Sequence, residues 1–173
     1  MNKLIETGVR VYALFERAVS YLQSPLLLAV RLYWGWQLVQ SGWGKLHNLD
    51  KVGEYFASLN MPMPANMAFF IACVEFFGGI FLALGLLSRL TALVLTVNMI
   101  MAYVIADREA FFSFFSDPDK FSAAAPFVFL VASLIILIFG PGKLSLDSAL
   151  GYFHRRRVAG SKDVRATSTL SAI

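Results

Sequence analysis

Residues 65–87 read ANMAFFIACVEFFGGIFLALGLL, a run whose only charge is Glu75. A helix that crosses a bilayer needs about 20 largely apolar residues, each rising 1.5 Å. This run has that length, and no polar face that could meet water. Working outward, three more runs meet the same requirement. Residues 25–44 (PLLLAVRLYWGWQLVQSGWG) carry one charge, Arg31. Residues 90–106 (LTALVLTVNMIMAYVIA) carry none and one Asn, and residues 122–140 (SAAAPFVFLVASLIILIFG) carry none. Across all 173 residues, 58% are apolar and 15% charged, with a mean hydropathy of +0.65. Soluble domains carry roughly 25% charged residues. A water-soluble four-helix core would need polar outer faces that these runs lack. No run alternates apolar and polar as a barrel strand would, so backbone hydrogen bonding in lipid leaves the helix. The expected fold is an all-α membrane protein, a bundle of four transmembrane helices over residues 25–150.

Lys and Arg in the connections set the orientation. The N-terminal flank, the link at Arg89 and the C-terminal flank together hold ten of them; Lys45, Lys51, Arg108 and Lys120 stand on the other side. The positive-inside rule then puts both termini in the cytoplasm. Residues 1–24 do not read as a signal peptide, because Lys3, Glu6, Arg10, Glu16 and Arg17 interrupt any apolar core. Ile5, Val9, Tyr12, Phe15, Val19 and Leu22 recur at helical spacing instead, which predicts an amphipathic helix lying in the membrane interface, or one that binds a partner. Pro25 is expected to start the first span. The connection at 107–121 (DREAFFSFFSDPDKF) mixes acids with Phe and is expected to dip its rings into the outer interface. Gly140, Pro141 and Gly142 end the fourth helix, and Ser145 can cap a short helix from Leu146 to about Phe153. Arg155, Arg156 and Arg157 open a basic tail, residues 151–173, suited to anionic lipid and partly disordered. That cluster is too short to argue for nucleic acid.

The charges within the apolar runs are the informative residues. A central Arg costs about 3 kcal/mol on insertion, and such groups face the bundle interior. Arg31, Gly35, Leu38, Gly42 and Lys45 share one helical stripe; Ala68, Ala72, Glu75, Gly79 and Ala83 share a second; Thr91, Leu95, Asn98 and Ala102 share a third. Small residues permit close approach, so these stripes are expected to meet and to pair Arg31 with Glu75, Asn98 beside them. Two readings stand side by side. In one the ion pair fixes helix register; in the other Glu75 is a proton acceptor or ligand contact tuned by Arg31.

Cys73 is the only cysteine, so no thiol pair exists within the chain. His47 and His154 are the only histidines, on opposite sides of the predicted membrane, and no metal site or phosphate-cradling loop is evident. No self-sufficient catalytic or redox constellation is present.

Several spaced features resemble the bacterial DoxX family of small four-helix inner-membrane proteins, across about residues 26–150. They are Arg31, the run Ser41-Gly42-Trp43-Gly44-Lys45-Leu46, Met61-Pro62, and Glu75-Phe76-Phe77-Gly78-Gly79. Leu84-Gly85-Leu86-Leu87-Ser88-Arg89 and Gly140-Pro141-Gly142-Lys143-Leu144-Ser145-Leu146-Asp147 complete the set. By that resemblance Arg31, Lys45, Glu75, Arg89 and Asp147 fall on recurrent polar positions. Relatives include a membrane subunit of thiosulfate:quinone oxidoreductase and proteins of membrane complexes handling thiol or oxidative stress; more distant ones act as receptors or assembly chaperones. The resemblance therefore implies a bacterial inner-membrane protein with protein partners. One reading is an accessory subunit whose Arg31, Glu75, Asn98 and Lys45 contact a quinone; the other is a non-catalytic scaffold, receptor or chaperone.

Overall fold

The computed structural model describes residues 2–152, with side chains from residue 7 onward. The described residues form helices and their connections, with no strand among them. Two of the helices are long and apolar enough to cross a membrane, α3 (Pro64–Leu84) and α4 (Ser88–Ile105). Their bounds lie within three residues of the runs read from the sequence.

The first expected span belongs to a longer element. Helix α1 runs from Asn2 to Leu46 with Pro25 inside it. Pro25 therefore does not start the first span as expected; residues 2–24 and the first apolar run share one helix. At 1.5 Å per residue α1 is about 67 Å long, over twice the hydrocarbon thickness. Its second half packs in the bundle. Its first half is exposed on all sides from Thr7 to Gln23 except at Ala13, and Val9, Tyr12, Phe15 and Leu22 touch little of the chain.

The fourth expected span is divided. A short helix α6 (Pro118–Ala123) ends at Ala124, whose backbone is extended, and α7 runs from Pro126 to Phe139. Proline has no N–H to donate, and its ring crowds the carbonyl four residues back. A continuous helix through Pro126 is thus disfavoured, and α7, at about 21 Å, is shorter than the hydrocarbon layer. Ahead of α6, α5 (Arg108–Phe112) completes the outer connection. There Tyr103 stacks on Phe121 at 5.1 Å and donates to its carbonyl at 2.7 Å, while Phe112, Phe114 and Phe115 stay exposed.

Helices α1 and α3 lie antiparallel and very close. A Cβ added to Gly35 would come 2.8 Å from the Gly79 carbonyl oxygen, and one on Gly79 would come 2.7 Å from that of Gly35. Seven residues further along α1, Gly42 rests on the backbone of Ala72 and Phe76. The small-residue stripes on α1 and α3 thus meet, as their spacing predicts. On the far side α4 joins α7 through the buried hydroxyls of Thr96 and Ser133, 3.0 Å apart. Leu27, Leu38, Leu82, Leu95, Met99 and Ile136 make the apolar core between these pairs.

The connection from α1 to α3 contains a further helix. Helix α2 (Leu49–Ser58) packs along α3 and buries Gly53 and Phe56. Leu49, Val52, Phe56 and Leu59 sit at i, i+3, i+7 and i+10, which is helical spacing. After α7, Gly140 and Gly142 turn the chain with φ near +77° and +78°, and residues 146–152 form a last helical stretch. Ser145 Oγ caps it, accepting from the Ser148 amide at 3.1 Å. The Arg155–Arg157 cluster, His154 and the rest of the tail lie outside the described residues.

Candidate functional site

Two polar clusters stand at different depths, and they separate the residues expected to pair. Glu75 is 4% exposed. Its Oε2 accepts from Ser41 Oγ at 2.8 Å, and its Oε1 forms an ion pair with Lys45 Nζ. Ser41 and Lys45 occupy positions i and i+4, so both reach Glu75 from the same face of α1. Ser41 entered the sequence reading only as part of a resemblance; its spacing from Lys45 was the signal available.

Arg31 is fully buried and lies elsewhere. Its Nη2 donates to the Leu144 carbonyl, and its guanidinium fills the space that a Gly85 side chain would need. The expected Arg31–Glu75 pair does not form. Gly85 is ten residues beyond Glu75 on α3, an axial separation of about 15 Å. The pairing expected from the sequence requires α1 and α3 to end level with each other. In fact α3 begins beyond the end of α1, because α2 folds back along its first turns.

Around Arg31 the chain end is fastened to the bundle. The Asp147 carboxylate accepts from the amides of Leu87 and Ser88, each at 2.8 Å. The Asp147 amide donates to the Gly85 carbonyl at 3.0 Å, and the Lys143 amide to Ser24 Oγ at 3.1 Å. Two amides at the start of α4 are thereby satisfied by a residue from another element. Burial pushes the Asp147 carboxyl up, but hydrogen bonds from Ser88 and Leu87 and the charge of Arg31 outweigh it and hold the pKa below the ordinary carboxylate value. Leu87, a bulky residue with φ of +46°, is held there by this clasp. Arg89 is exposed, its Nε lying over Gly140. Arg31, Arg89 and Asp147 therefore gather at one end of the bundle and Lys45 with Glu75 at the other.

The Glu75 end adjoins a cavity of about 740 Å³ between α2, α3 and α4. Phe56, Phe70, Val74, Val97 and Met101 give it apolar walls, and Lys45, Glu75, Asn98 and Lys51 give it polar points. The cavity exists because α3 and α4 pack less extensively than α1 with α3 or α4 with α7. Phe70, Val97 and Met101 are about half exposed, so its mouth opens sideways rather than along the bundle axis. The amide nitrogen of Asn98 is buried and has no hydrogen-bond partner among the described residues. Asn98 thus bonds neither Arg31 nor Glu75. Among the described residues no group of His, Cys, Asp and Glu could hold a metal ion.

Residues 26–108 match the model of the DoxX family. Over these residues the chain is similar to the DoxX family. The match runs from the second half of α1 through α4, and so includes Arg31, Lys45, Glu75, Arg89 and Asn98 but stops before Asp147. A protein of Haemophilus influenzae described as uncharacterized is 27% identical over 128 residues, covering 72% of this chain and 82% of its own length. No solved structure matches the chain. The DoxX match and the two helices long and apolar enough to span both point to a membrane protein.

Proposed function

We propose that this DoxX-like protein is an accessory, quinone-contacting subunit of a redox complex in a bacterial inner membrane. The chain crosses the bilayer four times, through the second half of α1, α3, α4 and the α6–α7 segment, with both termini in the cytoplasm. The excess of Lys and Arg on the terminal side supports that orientation. The observation that carries the quinone reading is the cavity: an apolar chamber open toward hydrocarbon, walled by the buried Glu75, its half-buried partner Lys45, and Asn98, whose amide nitrogen has no partner among the described residues. Ligand pockets are mostly apolar with a few polar groups that fix orientation, and an isoprenoid quinone has that make-up. Protein partners supply the electron-carrying centres. The Arg155–Arg157 tail holds anionic lipid at the cytoplasmic surface.

The test is quinone retention. The protein purified in mild detergent carries quinone detectable by extraction and chromatography, and Glu75→Gln lowers that content several-fold at unchanged yield. Wild-type protein free of quinone, when membranes of the same cells are rich in it, contradicts the proposal.

A second reading, a scaffold or assembly chaperone, is favoured by the exposed apolar residues on the first half of α1. Under it, Tyr12→Asp with Phe15→Asp abolishes recovery of partner proteins in a pull-down, while Glu75→Gln does not.

A further inference from the structure

The bundle uses only one side of α1. Leu27, Arg31 and Leu38 lie on that side and are buried. Where α1 leaves the bundle, the Lys143 amide donates to Ser24 Oγ at 3.1 Å, and Gly142 lies against Ser24 and Leu27. These contacts brace α1 as one continuous helix past Pro25. Being over twice as long as the hydrocarbon is thick, α1 carries its first half out of the bilayer.

The other side of α1 carries an apolar stripe that runs through this boundary unbroken. Val11, Phe15, Ala18 and Leu22 recur at steps of four, three and four residues, and Leu32 and Trp36 keep the same register beyond Pro25. All six are exposed, the five large ones by half or more. Arg10, Glu16, Arg17 and Ser20 fall on the far face of the helix. Alternating steps of three and four are the spacing at which two helices wind around each other.

We infer that this stripe is the seam of a homodimer, in which two copies of α1 pair in parallel about a twofold axis along the bilayer normal. Within the membrane, lipid covers apolar side chains as well as protein does. The drive therefore comes from the half outside, where Val11, Phe15 and Leu22 would otherwise meet water. A soluble partner ends at the membrane surface, but a second copy of α1 crosses it and matches the stripe over both parts. Braced at Ser24, α1 does not turn to lay the stripe flat on the bilayer. Phe15 and Trp36 each leave on the order of 100 Å² to be covered. Repeated from Val11 to Trp36, such side chains reach the scale of a stable interface, about 800 Å² on each partner. The inference does not depend on the quinone reading.

The test is disulfide crosslinking of the full-length protein in isolated native membranes, with Cys73→Ala as background. Ala18→Cys places a thiol on the seam and Ser20→Cys places one on the far face. On mild oxidation Ala18→Cys gives a linked product of twice the 19.2 kDa chain mass, in several-fold higher yield than Ser20→Cys. Adding Phe15→Asp and Leu22→Asp, both outside the bundle, abolishes that link while protein yield and the far-ultraviolet helix signal stay unchanged. Equal yields at the two positions, no link at either, or a product of another mass overturns the inference. So does a link that survives the two aspartates.

Discussion

Gly42 and Gly44 are two residues apart on α1 and differ in everything that matters for packing. A side chain at Gly42 would drive into the backbone of α3 at Phe76 and Ala72, while one at Gly44 meets nothing within 4 Å. Gly42→Val should therefore cost on the order of 3 kcal/mol through overpacking, read as a lower thermal midpoint in detergent. Gly44→Ala should leave the midpoint unchanged or raise it, since Gly is up to about 1 kcal/mol worse than Ala in a helix. Asp147 supports a second residue-scale prediction. Its folded pKa lies below its unfolded value, so the stability it contributes is present above about pH 4 and is lost as the pH falls through the folded pKa. Asp147→Ala should lower the midpoint at pH 7, by a loss comparable to removing a helix cap, about 1–2 kcal/mol. The mutant and wild-type midpoints should converge once the pH is below the folded pKa of Asp147.

At the scale of elements, what was legible in the sequence followed from local constraint. The small-residue stripes of α1 and α3 are set by the distance between two backbones, and periodicity alone revealed them. So did the glycine turn after α7 and the Ser145 cap. The partner of Arg31 was not legible, because relative depth depends on where α3 starts, and α2 decides that. Helix α2 has only ten residues, with three charges and a Gly among them, and the apolar spacing that marks it is short. Pro25 is the expected start of a span and Pro126 lies inside another, yet α1 passes through the first and a new helix begins at the second. Helix α2 also forms part of the cavity wall. Gly53 lies 3.6 Å from the Ala65 backbone, measured from an added Cβ, so Gly53→Leu should lift α2 off α3. Quinone affinity should fall by roughly ten-fold or more, while the α1–α3 pair and the far-ultraviolet helix signal persist.

Taken whole, the molecule divides its polar residues between two ends. At one end Arg31, Asp147 and the Gly85–Ser88 turn fasten the chain beyond α7 to the bundle, which is a structural task. At the other, Lys45, Ser41 and Glu75 hold a charge pair against a cavity that the helices leave unfilled. Glu75 was legible as a residue of interest from its cost in an apolar run, and Arg31 for the same reason; that they serve different ends required the register. Orientation is tested at this scale by single cysteines added to a Cys73→Ala background. A cysteine at Lys51 should react with an impermeant maleimide in whole spheroplasts, and one at Lys143 only after lysis. Occupancy of the cavity between α2, α3 and α4 by a quinone is read by photo-crosslinking with an azidoquinone followed by peptide mapping. Label confined to residues 49–75 and 93–106, and displaced by unmodified decylubiquinone, is the predicted result. Label spread along α7 and the first half of α1, or undiminished by competition, would contradict it.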